Sequence, residues 1–215
     1  MAFVNPSKPA GLSPVRYLNG AKYDGKAQIY SILAANTNPF YIGDIVKLVQ
    51  GVAASADANG IPAITLATTG GTTLGAVISL STLGPGSSMA NPDNLNITNR
   101  PTGAQSKNYY AMVSDDPNII YEIQEGGSGT NYSATAAVGR YAPFVYATPA
   151  TGVVVSGTQL DSSSAAVTGP SDLLIMRLAP RIDNHFVTSP STGGGAQKWW
   201  VMLGKHQFLT RPAAA

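Results

Sequence analysis

The sequence predicts an all-β protein: a β-sandwich or barrel, jelly-roll-like or β-tulip-like, with an extended N-terminal arm and long loops. Two observations carry this. Runs of five to nine residues rich in β-branched and aromatic side chains recur between clusters of Gly, Pro, Asn and Asp, the rhythm of short strands joined by turns. Within those runs apolar residues alternate with a period of two, and the 3.6-residue period of an amphipathic helix is nearly absent. The 215 residues suffice for one large β-domain or two small ones, burying about 70% of the unfolded surface. The expected organisation is an arm over 1–16, a single β-domain over 17–210 with a long loop insertion at 84–107, and a short tail over 211–215.

Residues 1–16 carry Pro6, Pro9 and Pro14 and little apolar periodicity. Proline fixes φ and favours extended backbone, so this stretch is expected to order only against a partner, and its removal to leave the fold intact. The segment "AQIYSILAA" over 27–35 reads as a strand. In "FYIGDIVKLVQGV", Gly43-Asp44 opens a second one. There Gly can take a positive φ while the Asp carboxylate bonds nearby amides, which is scaffold chemistry. Ile45, Lys47 and Val49 then point one way and Val46, Leu48 and Gln50 the other.

Further strands are expected in "AITLA", in "LGAVISLST" over 74–82, and in "NYYAMVS" and "NIIYEIQE" on either side of the "DDPN" turn. In the last of these, Ile119, Tyr121 and Ile123 share a face. "RYAPFVYA" and "GVVVSGTQL" add two more, and "LLIMRLAPRI" over 173–182 and "KWWVMLGKHQFL" over 198–209 close the set. Trp199, Val201 and Leu203 face one side of the final strand, and Lys198, Trp200 and Met202 the other. An outward Trp needs cover, for which a subunit interface is the economical source.

Charged residues make up 11% of the chain, under half the roughly 25% usual for a soluble domain. Surface contacts must therefore rest largely on Ser, Thr, Asn, Gly and backbone groups. The net charge is +2, and the basic residues are scattered along the chain. No direct nucleic-acid partner is expected, because phosphate binding needs a concentrated patch. The absence of cysteine excludes disulfides, thiolate zinc sites and thiol nucleophiles. Residues 61–92 are uncharged but broken by turn residues, so no membrane span is expected. The opening residues lack the pattern of a secretory signal, so synthesis in the cytoplasm without a signal peptide is expected.

Catalytic readings are weak. Asp183 and His185 could share a strand face as an acid–base pair, but the bland reading is a polar loop, and His206 would end a strand at the surface. Asp115 and Asp116 are adjacent, so on extended backbone they point apart, and they fit a turn better than a glycosidase pair or a calcium site. Glu122 reads as an exposed strand position. "GGTTLG", "GGSGTN" and "STGGGAQK" match no phosphate-binding fingerprint. No catalytic residue, metal or cofactor is expected. The aromatics Tyr109, Tyr110, Tyr141, Phe144, Tyr146, Trp199 and Trp200 could form a sugar platform or a protein interface. The favoured interface set is Pro6, Pro9, Pro14, Tyr109, Tyr110, Trp199 and Trp200.

Four segments, "YDGKAQIYSILAANTNPFYIGDIVKL", "DDPNIIYEIQ", "SGTQLDSSS…DLLIMRLAPRIDN" and "QKWWVMLGKHQFL", in that order over roughly 20–210, resemble the capsid decoration (cement) proteins of tailed bacteriophages. Gly204 stands where that family commonly has Asn, and Ile45 where Pro often follows Gly-Asp. The loop at 84–107 has no counterpart there. The resemblance implies a non-enzymatic β-rich protein on the outer capsid surface of a virion. Its partners would be the major capsid protein and itself, as a homotrimer or a dimer, and it would stabilise the shell against internal DNA pressure. The alternative is another virion β-protein, such as a head fibre, tail or receptor-binding component. A carbohydrate hydrolase ranks last.

Overall fold

A computed structural model describes residues 5–51, 55–82, 97–126, 137–147, 149, 153–162, 171–185 and 196–209. The chain is all-β. Its strands are β1 (Ser13–Tyr17), β2 (Gln28–Ile32), β3 (Phe40–Tyr41), β4 (Ile45–Leu48), β5 (Ile64–Leu66), β6 (Gly75–Ser81) and β7 (Asn99–Arg100). They continue with β8 (Tyr109–Ser114), β9 (Ile119–Gly126), β10 (Tyr141–Ala142), β11 (Phe144–Val145), β12 (Gln159–Asp161), β13 (Leu173–Leu178) and β14 (Lys198–Leu203). Among the described residues no helix is long and apolar enough to cross a membrane.

The larger sheet has seven strands in the order β10-β13-β14-β9-β12-β11, with β1 also on β9. Its two end strands, β10 and β11, are separated in the chain only by Pro143, so the sheet curls back on itself as a nearly closed barrel. Proline suits that corner. It has no N–H to satisfy, and its carbonyl accepts from the Asp161 amide at 3.0 Å. The expected single strand "RYAPFVYA" is split there for the same reason. Among the described residues of "GVVVSGTQL", Gln159 and Leu160 begin β12, while Val155 makes an isolated bridge to Ile42.

The alternation read from the sequence decides the interior. Ile119, Tyr121 and Ile123 of β9 and Trp199, Val201 and Leu203 of β14 all point into one hydrophobic cluster, together with Leu173, Ile175, Phe144 and Leu160. The second sheet runs β2-β8-β6-β4-β5 over its own cluster, which includes Tyr30, Ile32, Val46, Ile64, Val77 and Val113. β4 serves both. Ile45 enters the first cluster and Val46 the second, each 0% exposed, so the predicted opposition of these neighbours buries both faces of one strand. A two-stranded sheet, β3-β7, completes the pairings.

The expectation of a separate arm over 1–16 is corrected by residues 5–16, which belong to the fold. Leu12 lies in the first cluster at 1% exposure. β1 pairs antiparallel with β9, and a bulge between Pro14 and Arg16 accommodates the proline on an edge strand. Upstream, the Lys8 amide donates to Gln124 Oε1 at 2.7 Å. Asn5 Nδ2 donates to the His185 carbonyl at 2.9 Å, and the His185 amide returns a bond to Asn5 Oδ1 at 2.8 Å. Three prolines concealed a segment whose partner is the chain's own sheet. Deleting it would open the core, contrary to the expectation that the fold would survive.

The contact that seats this segment needs two glycines back to back. Gly11 (φ 66°) and Gly43 (φ 94°) are both left-handed, and the Leu12 amide donates to the Gly43 carbonyl at 2.9 Å. A Cβ on Gly11 would stand 2.2 Å from the Gly43 oxygen. Gly11→Ala should therefore cost about 3 kcal/mol, combining a strained φ with a backbone clash. Chemical denaturation would show it as a lower midpoint, and an unchanged midpoint would contradict this packing.

Of the expected loop at 84–107, residues 84–96 lie outside the described residues. The remainder is anchored. Asn99–Arg100 forms β7 against β3, and Arg100 is 0% exposed. Residues 1–4 and the expected tail at 211–215 also lie outside the described residues.

Candidate docking face

β14 places its two tryptophans on opposite sides of the barrel wall. Trp199 is 0% exposed, and its Nε1 donates to Glu125 Oε2 at 2.8 Å, beside a Gln197 Nε2 bond to the same oxygen at 3.4 Å. It is a core residue, which corrects its place in the expected interface set. Trp200 faces outward and is half-buried. Part of its cover comes from within the chain. The Arg16 guanidinium lies 5.0 Å from the indole centroid and that of Arg177 lies 5.3 Å from it, distances typical of cation–π contact.

Register explains this grouping. Trp200 pairs with Arg177 on β13 and with Glu122 on β9, while β1 brings Arg16 opposite Ile120, on the outer side of β9. Next to them Arg181 bonds Glu122 and Asp183, both at 2.9 Å, and Lys198 lies 3.9 Å from Asp183. Basic residues scattered in sequence are thus gathered on one face. Sequence reasoning missed Arg16 and Arg177, because nothing local signals that β1 docks on β9 or that β13 neighbours β14.

The other expected interface residues lie elsewhere. Pro6 is exposed, and Pro9 and Pro14 are half-buried along the docked N-terminal segment. Tyr109 packs against the second cluster with the Arg100 guanidinium 5.8 Å from its ring. The Tyr110 hydroxyl donates to Asp57 Oδ2 at 2.9 Å. The structure does not bring either tyrosine to the Trp200 face.

The titratable candidates take structural partners. Asp183 accepts from Arg181 through both oxygens, at 2.9 and 3.3 Å, and this contact holds its carboxyl below the usual range. His185 exchanges backbone bonds with Asn5. Asp115 accepts from the Tyr30 hydroxyl at 2.6 Å, and Asp116 Oδ1 from the Asn118 amide at 2.8 Å, closing the predicted turn. His206 is 4% exposed, not at the surface as expected, and its Nδ1 accepts from the Phe208 amide at 3.1 Å. Among the described residues no cluster of three or more His, Asp or Glu is arranged to hold a metal ion.

Asp44 is a buried strut between the two sheets. One oxygen accepts from the Tyr41 amide at 2.8 Å, and the other is bonded to the Ser156 hydroxyl, itself 2.8 Å from Thr158 Oγ1. Burial pushes its pKa up to about 6, against the lowering effect of the Ser156 and Tyr41 bonds. A raised carboxyl pKa favours the folded state fully at pH below the unfolded value of 3.8, and the contribution is lost as pH rises through about 6. Stability should therefore fall by about 3 kcal/mol across that window. Asp44→Asn mimics the protonated acid, with its oxygen toward the Tyr41 amide and its amide toward Ser156. Urea midpoints should show this variant at least as stable as wild type above pH 7 and without the acid-side slope. An equal slope in both proteins would contradict the assignment.

A shallow groove of about 380 Å³ is lined by Tyr17, Leu18, Asn19, Asp116 and Asn118. No known family, curated protein or solved structure matches this chain. The geometry of the molecule itself therefore carries the functional argument.

Proposed function

We propose that this chain is a virion docking protein: a capsid decoration (cement) protein that binds the outer surface of a major-capsid shell and stabilises it against internal DNA pressure. The observation that carries the reading is the Arg16–Trp200–Arg177 stack on the outward face of the larger sheet. Tryptophan and arginine dominate binding hot spots, because a large ring and a planar cation give much contact area with few mobile bonds. The polar ties across the two sheets support a rigid part. Besides Asp44–Ser156, Asp172 accepts from the Gly70 amide at 2.8 Å, and the Tyr146 hydroxyl donates to the Ile45 carbonyl at 2.5 Å. Among the described residues, Asp44, Asp115, Asp116 and Asp183 take structural partners. Repetition of one small interface over a shell, as a homotrimer or dimer, would multiply its strength by avidity.

Antibody raised against the purified chain should label the faces of phage heads in electron micrographs. Labelling confined to tails would overturn the shell assignment. A second reading, a glycan-binding head-fibre or tail component, draws on the Tyr17 groove, where an aromatic residue stands beside Asp116 and two Asn side chains. Specific binding on a glycan array, abolished by Tyr17→Ala, would favour it.

A further inference from the structure

We propose that the Arg16–Trp200–Arg177 face is a carboxylate-binding site that docks the acidic surface of a partner protein. Both guanidiniums stand within 5.3 Å of one indole centroid, so two cations share a single aromatic partner. Among the described residues neither makes an ion pair, whereas neighbouring Arg181 holds two carboxylates. Arg177 is exposed and its Nε reaches only the carbonyl of Leu178, at 3.4 Å. Two positive forks held against one ring, neither in an ion pair among the described residues, suit incoming carboxylates. The indole fixes both side chains beforehand and so lowers the ordering cost of binding.

The face also carries Glu122 and Asp183, both held by Arg181, with Lys198 3.9 Å from Asp183. Such a mosaic suits a protein surface bearing separate charges better than the unbroken negative rail of nucleic acid, which needs many uninterrupted phosphate contacts. The inference rests on the reading of this chain as a docking protein and names the chemistry of its partner.

The test is fluorescence anisotropy with a labelled peptide of alternating glutamate and serine, against the same peptide with glutamine for glutamate. The glutamate peptide should bind and weaken with added salt, and the glutamine peptide should not. Arg16→Gln with Arg177→Gln should weaken binding at least about tenfold while leaving the thermal midpoint within a few degrees. Should the double variant fail to fold, Arg177→Gln alone, at an exposed position, should still weaken it several-fold. Unchanged binding in either variant, or no binding by wild type, overturns the proposal. A single-stranded oligonucleotide of equal charge that binds more tightly than the peptide reassigns the face to nucleic acid. Self-association in sedimentation that the double variant abolishes, without peptide binding, reassigns it to a second copy. The peptide assay needs no particle, so its failure leaves the shell reading to the virion-labelling experiment.

Discussion

Arg100→Ala should lower stability by about 5 kcal/mol, and the thermal midpoint by roughly 10–20 °C. The guanidinium is 0% exposed and is ringed by backbone oxygens. Nη1 donates to the carbonyls of Asn38 and Pro101, and Nη2 to those of Ala34, Asn36 and Gly103. One side chain thus ties the segment before β3 to the segment after β7, and its cation lies over the Tyr109 ring. Truncation would leave several part-buried carbonyls short of a donor and open a cavity beside the second cluster, two costs that add. Arg100→Lys keeps the charge but offers a compact ammonium with three donors, so it should recover less than half of the loss. Differential scanning calorimetry of the two variants measures this. A midpoint within a few degrees of wild type for Arg100→Ala would show that the ring of carbonyls contributes little.

Trp199→Ala should cost about 4 kcal/mol, because it empties the largest fully buried side chain in the barrel interior. The indole also donates to Glu125, a 0% exposed carboxylate. Trp199→Phe separates the two contributions. It keeps a six-membered aromatic ring in the interior but removes the pyrrole portion with its N–H, so it should cost about 2 kcal/mol. Urea denaturation of both variants at one pH gives the comparison. Equal losses for Phe and Ala would assign the whole effect to the bond with Glu125 and none to packing.

Local alternation made much of the fold legible. Period-two patterns in β4, β9 and β14 placed Ile45, Tyr121 and Trp199 correctly on their faces, because a strand's side-chain direction depends on nothing beyond its neighbours. Gly43-Asp44 was legible for the same reason, since a left-handed glycine and an Asp bonding the amide three residues back are local chemistry. What escaped depends on long-range pairing. β1 read as an arm because prolines obscured a strand whose partner, β9, lies more than 100 positions away in the register Ser13↔Glu122. Arg100 sat in a polar loop with no sign that its carbonyl partners at Asn36 and Asn38 lie 64 and 62 residues upstream. Trp200 lies on the side of β14 opposite Trp199, as the alternation predicts. Only the assembled sheet shows that two arginines from β1 and β13 lie against its ring.

The most direct test of the docking account is co-sedimentation of the purified chain with empty heads of the phage that encodes it. The account predicts that the chain pellets with the heads, saturably and in many copies per shell, and that shells so coated withstand more heat than bare ones. Protein that stays in the supernatant as a lone monomer at every concentration would contradict it.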